Sequence, residues 1–423
     1  MKGKTIMKKS IKYLLLAFSV AAVTVSCSKW TEPEQAVPID KSGNINGGDY
    51  YANLRAYRAS DHSVMFGYFQ GWGGATADFK TSLMGLPDSV DMISLWGAGF
   101  RYTDMQKRDL KKAQELKGLK CLMVFIAHSI GTGITPQWVI NASPSTPATV
   151  RNRFTGKVGT YTNWVEARNE FWGLDANDGR GNSPEANERA VRAAEAYADS
   201  LCYLINNVLE VDGFDWDFEY GYDVGDSYPT LIGDKSNITP QAAHDRVLAF
   251  VKRMRERLGD NKILMIDGNP DRLPAPEACV YFDYFAQQAY GKPTGSEGNS
   301  ETVMDNRTNR MVTAFQNYLD PEFVCNRTIM LETFENHFTY DGKNYYGSNS
   351  WRMRDGTTYE GEKTGFSSFE GMARWNPQIG GKIYRKGGIG AYQLQQDYTP
   401  RLKPNQSYPQ VREAIQIMNP AVK

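Results

Sequence analysis

Histidine is scarce in this chain, with four residues in 423, and the four are scattered. There are five cysteines, and no Cys-x-x-Cys or His pair accompanies any of them. The ligand spacings of a structural or catalytic zinc site are therefore missing, and neither a metal nor a cofactor is expected. Net charge is lacking too, since 48 basic residues balance 48 acidic ones. Without a basic patch or arm, nucleic acid is not an expected partner. The apolar run near the start, Tyr13–Val23, is about eleven residues, too short to span a bilayer comfortably. No internal repeat of about 20–50 residues is visible, and no second domain is needed. A single unit, expected as a monomer, remains.

What is present begins with a targeting segment. Lys8, Lys9 and Lys12 precede the apolar run, which ends in Thr24-Val25-Ser26-Cys27. That ending resembles a bacterial lipobox, in which the cysteine is lipidated and becomes the mature N-terminus, although Thr24 stands where Leu is usual. An ordinary secretory signal cut near Ser26 is the other reading, and both export the protein. The expected organisation is a signal over residues 1–26, a lipid on Cys27, a flexible tether over 27–55 and one catalytic domain over 56–423. The protein is then held at the outer membrane by its lipid alone, on the cell surface or in the periplasm. Cys121, Cys202, Cys279 and Cys325 read as small buried hydrophobes. His128 and His337 each follow a predicted strand, and a hydrogen-bonding or loop role is open for both. Aromatics make up 12% of the chain, which suits stacking on flat ligand faces but also the filling of a core.

Strand and helix patterns alternate from residue 64 onward. Strands are expected at 64–69, 91–96, 121–127, 212–219, 263–266, within 280–289, at 328–333 and at 388–394. Helices are expected between them, at 103–116, from Pro184 with Ser183 as cap, at 240–258, 302–318, near 369–375 and at 409–418. Eight strands interleaved with helices predict a (β/α)8 barrel, the TIM-barrel form of the α/β class. Residues 128–182 form a long insertion with Trp138, Trp164 and Trp172, and a loop after the fourth strand carries Tyr220, Tyr222 and Tyr228. Loops of that length inside a compact domain are usually functional.

The chain is organised around Asp212-Gly213-Phe214-Asp215-Trp216-Asp217-Phe218-Glu219. Side chains of a strand alternate faces, so Asp215, Asp217 and Glu219 share one face with Gly213, and three aromatics share the other. Three acids on one face would be costly in a plain core, because buried like charges repel and lose hydration. A barrel strand resolves this by turning its apolar face to the helices and its acids to the mouth.

These eight residues match Asp-Gly-hydrophobic-Asp-hydrophobic-Asp-x-Glu at each of its seven specified positions. The chain thereby resembles glycoside hydrolase family 18. The resemblance implies the same barrel with this stretch as its fourth strand, and substrate-assisted retaining hydrolysis without a metal. It implies Glu219 as general acid/base, Asp217 as the residue that orients the substrate's acetamido group and stabilises the developing charge, and Asp215 behind it. The Cα atoms of Asp217 and Glu219 are expected about 6.5–7 Å apart. A proton held among three acids should raise at least one pKa.

Other strand ends fit the resemblance with departures. Gln288 and Tyr290 share a face at the end of the sixth strand, where the family's Tyr holds the acetamido carbonyl. Gly291 replaces the Asp that usually follows in chitinases. This Gln-x-Tyr form resembles the endo-β-N-acetylglucosaminidase branch, which cuts the chitobiose core of N-glycans. Tyr392 stands where a Trp floor is common. The third-strand chitinase pattern is reduced to His128-Ser129-Ile130-Gly131. Trp72, Trp96, Asn269, Glu332 and Gln393, with Asn336, are further sugar-contact candidates at strand ends, and each has a purely structural alternative. N-glycans or glycoproteins are the expected partners. A chitinase of linear N-acetylglucosamine polymers and a non-catalytic glycan-binding lipoprotein are the competing readings.

Overall fold

The computed structural model describes residues 47–74, 79–178, 181–221, 230–232, 238–291, 300–398 and 407–420. Among them, eight parallel strands close into one barrel in chain order. They are β1 Val64–Tyr68, β2 Met92–Ser94, β3 Lys120–Phe125, β4 Gly213–Phe218, β5 Ile263–Gly268, β6 Tyr284–Gln288, β7 Thr328–Thr333 and β8 Gly388–Tyr392. Closure is made by β8 on β1, where Gly390 pairs with Phe66. This is the (β/α)8 barrel that the strand count predicts.

Alternation along each strand divides the apolar residues into two layers. Phe66, Tyr68, Met92, Leu122, Val124, Met265, Ala286, Ile329 and Leu331 pack together inside the barrel. Met65, Ile93, Met123, Phe214, Trp216, Ile266 and Met330 belong to the larger layer between barrel and helices. Trp216 has no exposed surface and meets Phe250 at 5.3 Å between ring centres. Truncating it to Ala would cost about 3–5 kcal/mol.

The main helices start where the sequence places caps. α1 (Asp104–Lys112) opens with a capping box between Thr103 and Gln106. Ser183 Oγ accepts from the Ala186 amide at the start of α2 (Pro184–Tyr203). Thr239 does the same for Ala242 at the start of α3 (Pro240–Leu258), and both helices carry Pro in the first turn. α4 (Glu301–Phe315) and α5 (Pro409–Met418) complete the set used below.

Several boundaries differ from the sequence reading. β6 begins only at Tyr284, because Pro276–Tyr281 winds as a 3₁₀ turn. The helix expected over 103–116 ends at Lys112 and widens into a π turn over Ala113–Lys117. Residues Gly47–Arg58 are helical, where a tether was expected to run to 55. Tyr50 Oη donates to Asp88 at 2.6 Å and Arg55 to the Leu116 carbonyl at 2.9 Å, which fix this helix against the barrel. Residues 1–46, with the signal and Cys27, lie outside the described residues, as do Tyr222 and Tyr228. No helix among the described residues is long and apolar enough to cross a membrane.

The insertion over 128–182 is more built than a loop. It holds a helix at Gln137–Ile140, a hairpin of Ala148–Arg151 with Val158–Tyr161, and a helix at Trp164–Trp172. Ala148 and Val150 turn inward and Thr149 and Arg151 outward. Val139, Ala142 and Ala167 join them in a small separate core. Trp172 is buried, its indole donating to Thr135 at 2.8 Å, whereas Trp138 is exposed. Cys121, Cys202, Cys279 and Cys325 are buried and unbridged.

Candidate active site

β4 carries the acids to the barrel mouth. Gly213 starts the strand because β5 approaches closely there: a Cβ on it would lie 2.0 Å from the Ile263 carbonyl oxygen. Asp215 and Asp217 then face inward and are buried, while Glu219, one residue past the strand end, is partly exposed. Phe214, Trp216 and Phe218 face the helices. Asp215 is the deeper acid, and Ser94 Oγ at the end of β2 donates to its Oδ2 at 2.6 Å. Tyr68 lies near it, its hydroxyl raised first by burial and then by the Asp215 charge.

Asp267, at the end of β5, pairs in register with Asp217. Gly268 follows it with φ +93°, a conformation that glycine adopts without strain. This bend lets the Asn269 amide donate to the Phe218 carbonyl at 3.0 Å, which places Asn269 beside Glu219. Gln288, on β6, donates from Nε2 to Asp267 Oδ1 at 2.9 Å and to Asp217 Oδ1 at 3.4 Å.

Three carboxyl groups so close and so buried cannot all ionise near neutral pH. Burial pushes Asp217 up to about 10, helped by the charges of Asp267 and Glu219 and opposed by Gln288. Burial raises Asp215 to about 7; the charge of Asp217 adds to this, and the hydrogen bond from Ser94 counters it. Asp267 is held well above the usual carboxylate range, first by burial and then by Asp215. Burial and the same carboxylates also raise the Tyr290 hydroxyl.

Aromatic rings frame the mouth above the acids. The Tyr392 ring lies 5.9 Å from Tyr290, 6.0 Å from Tyr68 and 6.1 Å from Trp96, and Tyr68 lies 6.0 Å from Trp96. Tyr290, Tyr392 and Trp96 are partly exposed, so each keeps some ring surface for a flat ligand.

Asp215, Asp217, Glu219, Gln288, Tyr290, Tyr392, Trp96 and Asn269 thus meet at one end of the barrel. Four other candidates do different work. Trp72 packs in the outer layer, edge-on to Tyr102 at 4.9 Å, and its indole N–H donates to Asp109 Oδ2 at 2.9 Å. Glu332 faces outward from β7, since Ile329 and Leu331 take the inward positions. It is fully buried and accepts from the Gly291 amide at 3.0 Å, the Thr333 amide at 2.8 Å and Ser368 Oγ. Gln393 bonds through its side chain to Glu335 at 2.7 Å and Gln396 at 2.9 Å. Asn336 donates to the Gly291 carbonyl at 2.9 Å. His128 is buried edge-on to Phe218 at 5.9 Å, on the outer face of β4, and His337 lies exposed on a hairpin.

The sequence reading missed Tyr68, Ser94 and Asp267. Asp267 had a signal, being a lone acid at the end of an otherwise apolar strand. Tyr68 and Ser94 had none beyond their inward parity.

The family model described as "Glycoside hydrolase family 18, BT1044-like" matches residues 31–145 and 163–417. The chain belongs to glycoside hydrolase family 18. The unmatched stretch contains the hairpin of the insertion, Ala148–Arg151 with Val158–Tyr161. Among solved structures, the family member BT1044, as a selenomethionine protein with a Glu-to-Gln substitution, is 27% identical. That match covers 88% of this chain and 92% of that one, with a TM-score of 0.60. An endo-β-N-acetylglucosaminidase from Cordyceps militaris is 17% identical over 88% of this chain and 96% of its own, with a TM-score of 0.49. A chitinase from Rhizomucor miehei is 13% identical over 83% and 99%, with a TM-score of 0.39. No curated protein matches the chain.

Proposed function

We propose that this glycoside hydrolase is an endo-β-N-acetylglucosaminidase that cuts between the two core N-acetylglucosamine residues of N-glycans. The observation that carries the reading is the joint placement of Asp217, Glu219 and Tyr290 at one barrel mouth, with Gln288 bonded to Asp217. The acetamido oxygen of the reacting sugar attacks its own anomeric carbon and the glycosidic C–O bond breaks. Glu219 gives its proton to the leaving oxygen. Asp217 holds the acetamido N–H and balances the positive charge of the oxazolinium, while the Tyr290 hydroxyl donates to the acetamido carbonyl. Glu219, now a carboxylate, takes a proton from water as that water opens the ring. The anomeric configuration is retained because the carbon is attacked twice.

Choice of the N-glycan core over a linear polymer rests on Gln288 and on Gly291, which stands where chitinases usually have Asp. The exposed Trp138 and the hairpin outside the family match are the surfaces available for glycan antennae. Export with a lipid on Cys27 would place the enzyme, as a monomer, at the outer membrane where glycoproteins are met. The test is parallel incubation with a high-mannose glycoprotein, a complex-type glycoprotein and a chitin oligomer, with released sugars read by mass spectrometry. Glycans ending in a single N-acetylglucosamine are expected from at least one glycoprotein. Cleavage of the chitin oligomer alone would move the assignment to a chitinase, and cleavage of none to a binding protein.

A further inference from the structure

The insertion between β3 and α2 holds a surface that the steps above do not use. Its stem is pinned beside the exit of β4, because Ser129 bridges Thr230 and the His128 carbonyl accepts from the Leu231 amide at 2.8 Å. Residues 146–162, which lie outside the family match, carry Arg151, Arg153 and Lys157 and no acidic residue, in a chain of zero net charge. The turn of this hairpin is held from below. Buried Asn152 accepts from the amides of Phe154 and Thr155 at 3.0 and 3.1 Å. It donates to Glu170 Oε2 at 2.9 Å and to the Leu174 carbonyl at 3.0 Å. Gly173 leaves the space that Phe154 fills, since a Cβ there would lie 2.1 Å from that ring.

Arg153 and Phe154 therefore stand in fixed places. The Arg153 guanidinium lies 4.3 Å from the centre of the Trp172 ring and 5.5 Å from that of Phe171. Arg192, on α2, covers Phe154 at 5.3 Å. Exposed Trp138 meets Phe171 edge-on at 6.3 Å and continues the surface. A guanidinium stacked on a ring uses its face and keeps its in-plane N–H donors free. Both arginines are exposed, and among the described residues neither makes a hydrogen bond or a salt bridge. Asp199, the acid that acts on Arg153, is already bonded to Arg253 and Arg257. Glu188 and Glu195, one turn from Arg192 on α2, are exposed and bonded to neither arginine among the described residues.

We propose that this strip of Trp138, Phe171, Arg153, Phe154 and Arg192 binds the carboxylate-bearing terminal sugar of a glycan antenna, which for an N-glycan is a sialic acid. The inference rests on the endo-β-N-acetylglucosaminidase reading above and names the glycan class that it prefers. The fork of N–H donors matches a planar carboxylate in two parallel bonds. The exposed rings take the apolar faces of the sugars, which a small anion does not have. Antenna and core belong to one molecule. With the core in the mouth, the second contact is intramolecular and raises affinity without changing the chemical step.

The test measures kcat and KM on one complex-type glycoprotein before and after removal of its sialic acids. Wild type is expected to show a KM about tenfold lower on the sialylated form, the worth of one charge-assisted hydrogen bond, at equal kcat. Arg153→Gln combined with Arg192→Gln should bring the two KM values together. Equal KM values in wild type, or a difference that survives loss of both arginines, overturn the proposal. A second measurement needs no catalysis. Saturation-transfer NMR of Glu219→Gln with sialyllactose, lactose and sulfated lactose should show transfer to sialyllactose alone, abolished by the double arginine change. Equal transfer to sulfated lactose would make the strip a general anion surface and overturn the proposal, as would no transfer at all. A wild type that cleaves no glycoprotein overturns the enzymatic reading, while transfer to sialyllactose still decides the strip.

Discussion

The Gly291 amide hangs from Glu332, donating to Oε1 at 3.0 Å across the gap between the end of β6 and the outer face of β7. Asn336 grips the same residue from its carbonyl side. Gly291 follows Tyr290 directly, so this clamp sets where the tyrosine hydroxyl stands. Glu332 therefore supports the site from behind. Glu332→Ala leaves two amides and a hydroxyl without their buried acceptor. It should cost about 1–3 kcal/mol of stability and lower kcat through Tyr290. Glu332→Gln keeps an oxygen for the amides and turns an NH₂ to Ser368, whose hydroxyl can accept. It should retain most activity. Chemical denaturation and steady-state kinetics of both variants check this, and equal damage by the two would argue against the clamp.

Glu219→Gln should abolish hydrolysis while preserving the fold and glycan binding. The amide is nearly isosteric but has no proton to give. General acid–base catalysis supplies about 10²–10⁴ in rate, and here both steps draw on it. Turnover near that of wild type would remove Glu219 from the mechanism.

Asp217→Asn should separate two reactions. It can no longer offer a negative charge to the oxazolinium, so release from glycoprotein should be poor. A preformed, neutral sugar oxazoline bypasses formation of that ion, and transfer from it to an N-acetylglucosamine acceptor should persist with Glu219 as base. Trapping a covalent sugar ester on Asp217 or Asp215 by mass spectrometry would contradict substrate assistance.

Cys27→Ala should yield an active protein that no longer partitions with membranes. The basis is the apolar run that ends in Val25-Ser26-Cys27. Detergent-phase partitioning of the two forms decides it, and partitioning of both into the aqueous phase would exclude a lipid at this cysteine.

Asp397 gives a prediction for stability. It is fully buried and accepts from the Val411 amide at 2.9 Å, at the start of α5. Burial raises it from the ordinary 3.8 to about 8. A carboxyl whose folded pKa is raised stabilises the fold fully below its unfolded pKa. That contribution is lost as pH rises towards the folded value. Asp397→Asn stays neutral throughout. Its melting temperature relative to wild type should therefore climb between about pH 4 and pH 8 and level off above, measured by calorimetry across that range. A constant difference would show that Asp397 does not titrate in this window.

Much of this was readable from residue types in order. The acidic strand declared itself because an alternating Asp-Trp-Asp-Phe pattern has one physical home, a strand with a wet face and a packed face. Ser183, followed by Pro, marked one helix start, and the helix expected over 240–258 is kept to the residue. Parity was harder. β7 reads Thr-Ile-Met-Leu-Glu-Thr, buried on both faces, and nothing in it says which face Glu332 takes; that depends on the register with β8. Trp72 was expected at the mouth from its place past the end of the first strand, but Asp109, 37 residues away, draws it outward. Asp267 matters because β5 sets it opposite Asp217, a pairing between strands that local sequence does not contain. The insertion looked like a loop because its core is made of Ala and Val, which leave little periodic signal among the polar residues.

The hydrocarbon plug of Phe66, Met92, Leu122, Met265 and Leu331 beneath the acids has an electrical consequence. Water and salt ions have no place below the carboxyl groups, so the field of an anion formed there is hardly screened from underneath. The low-dielectric walls direct that field out through the mouth, towards the position of a bound sugar. The barrel behaves as a one-sided electrode. A cation forming on the bound sugar is then largely insulated from the medium, whose Debye length of about 8 Å at physiological salt governs only exposed charges. The chemical step should be nearly indifferent to ionic strength, and any salt dependence of turnover would arise in the approach of the glycoprotein to its surface.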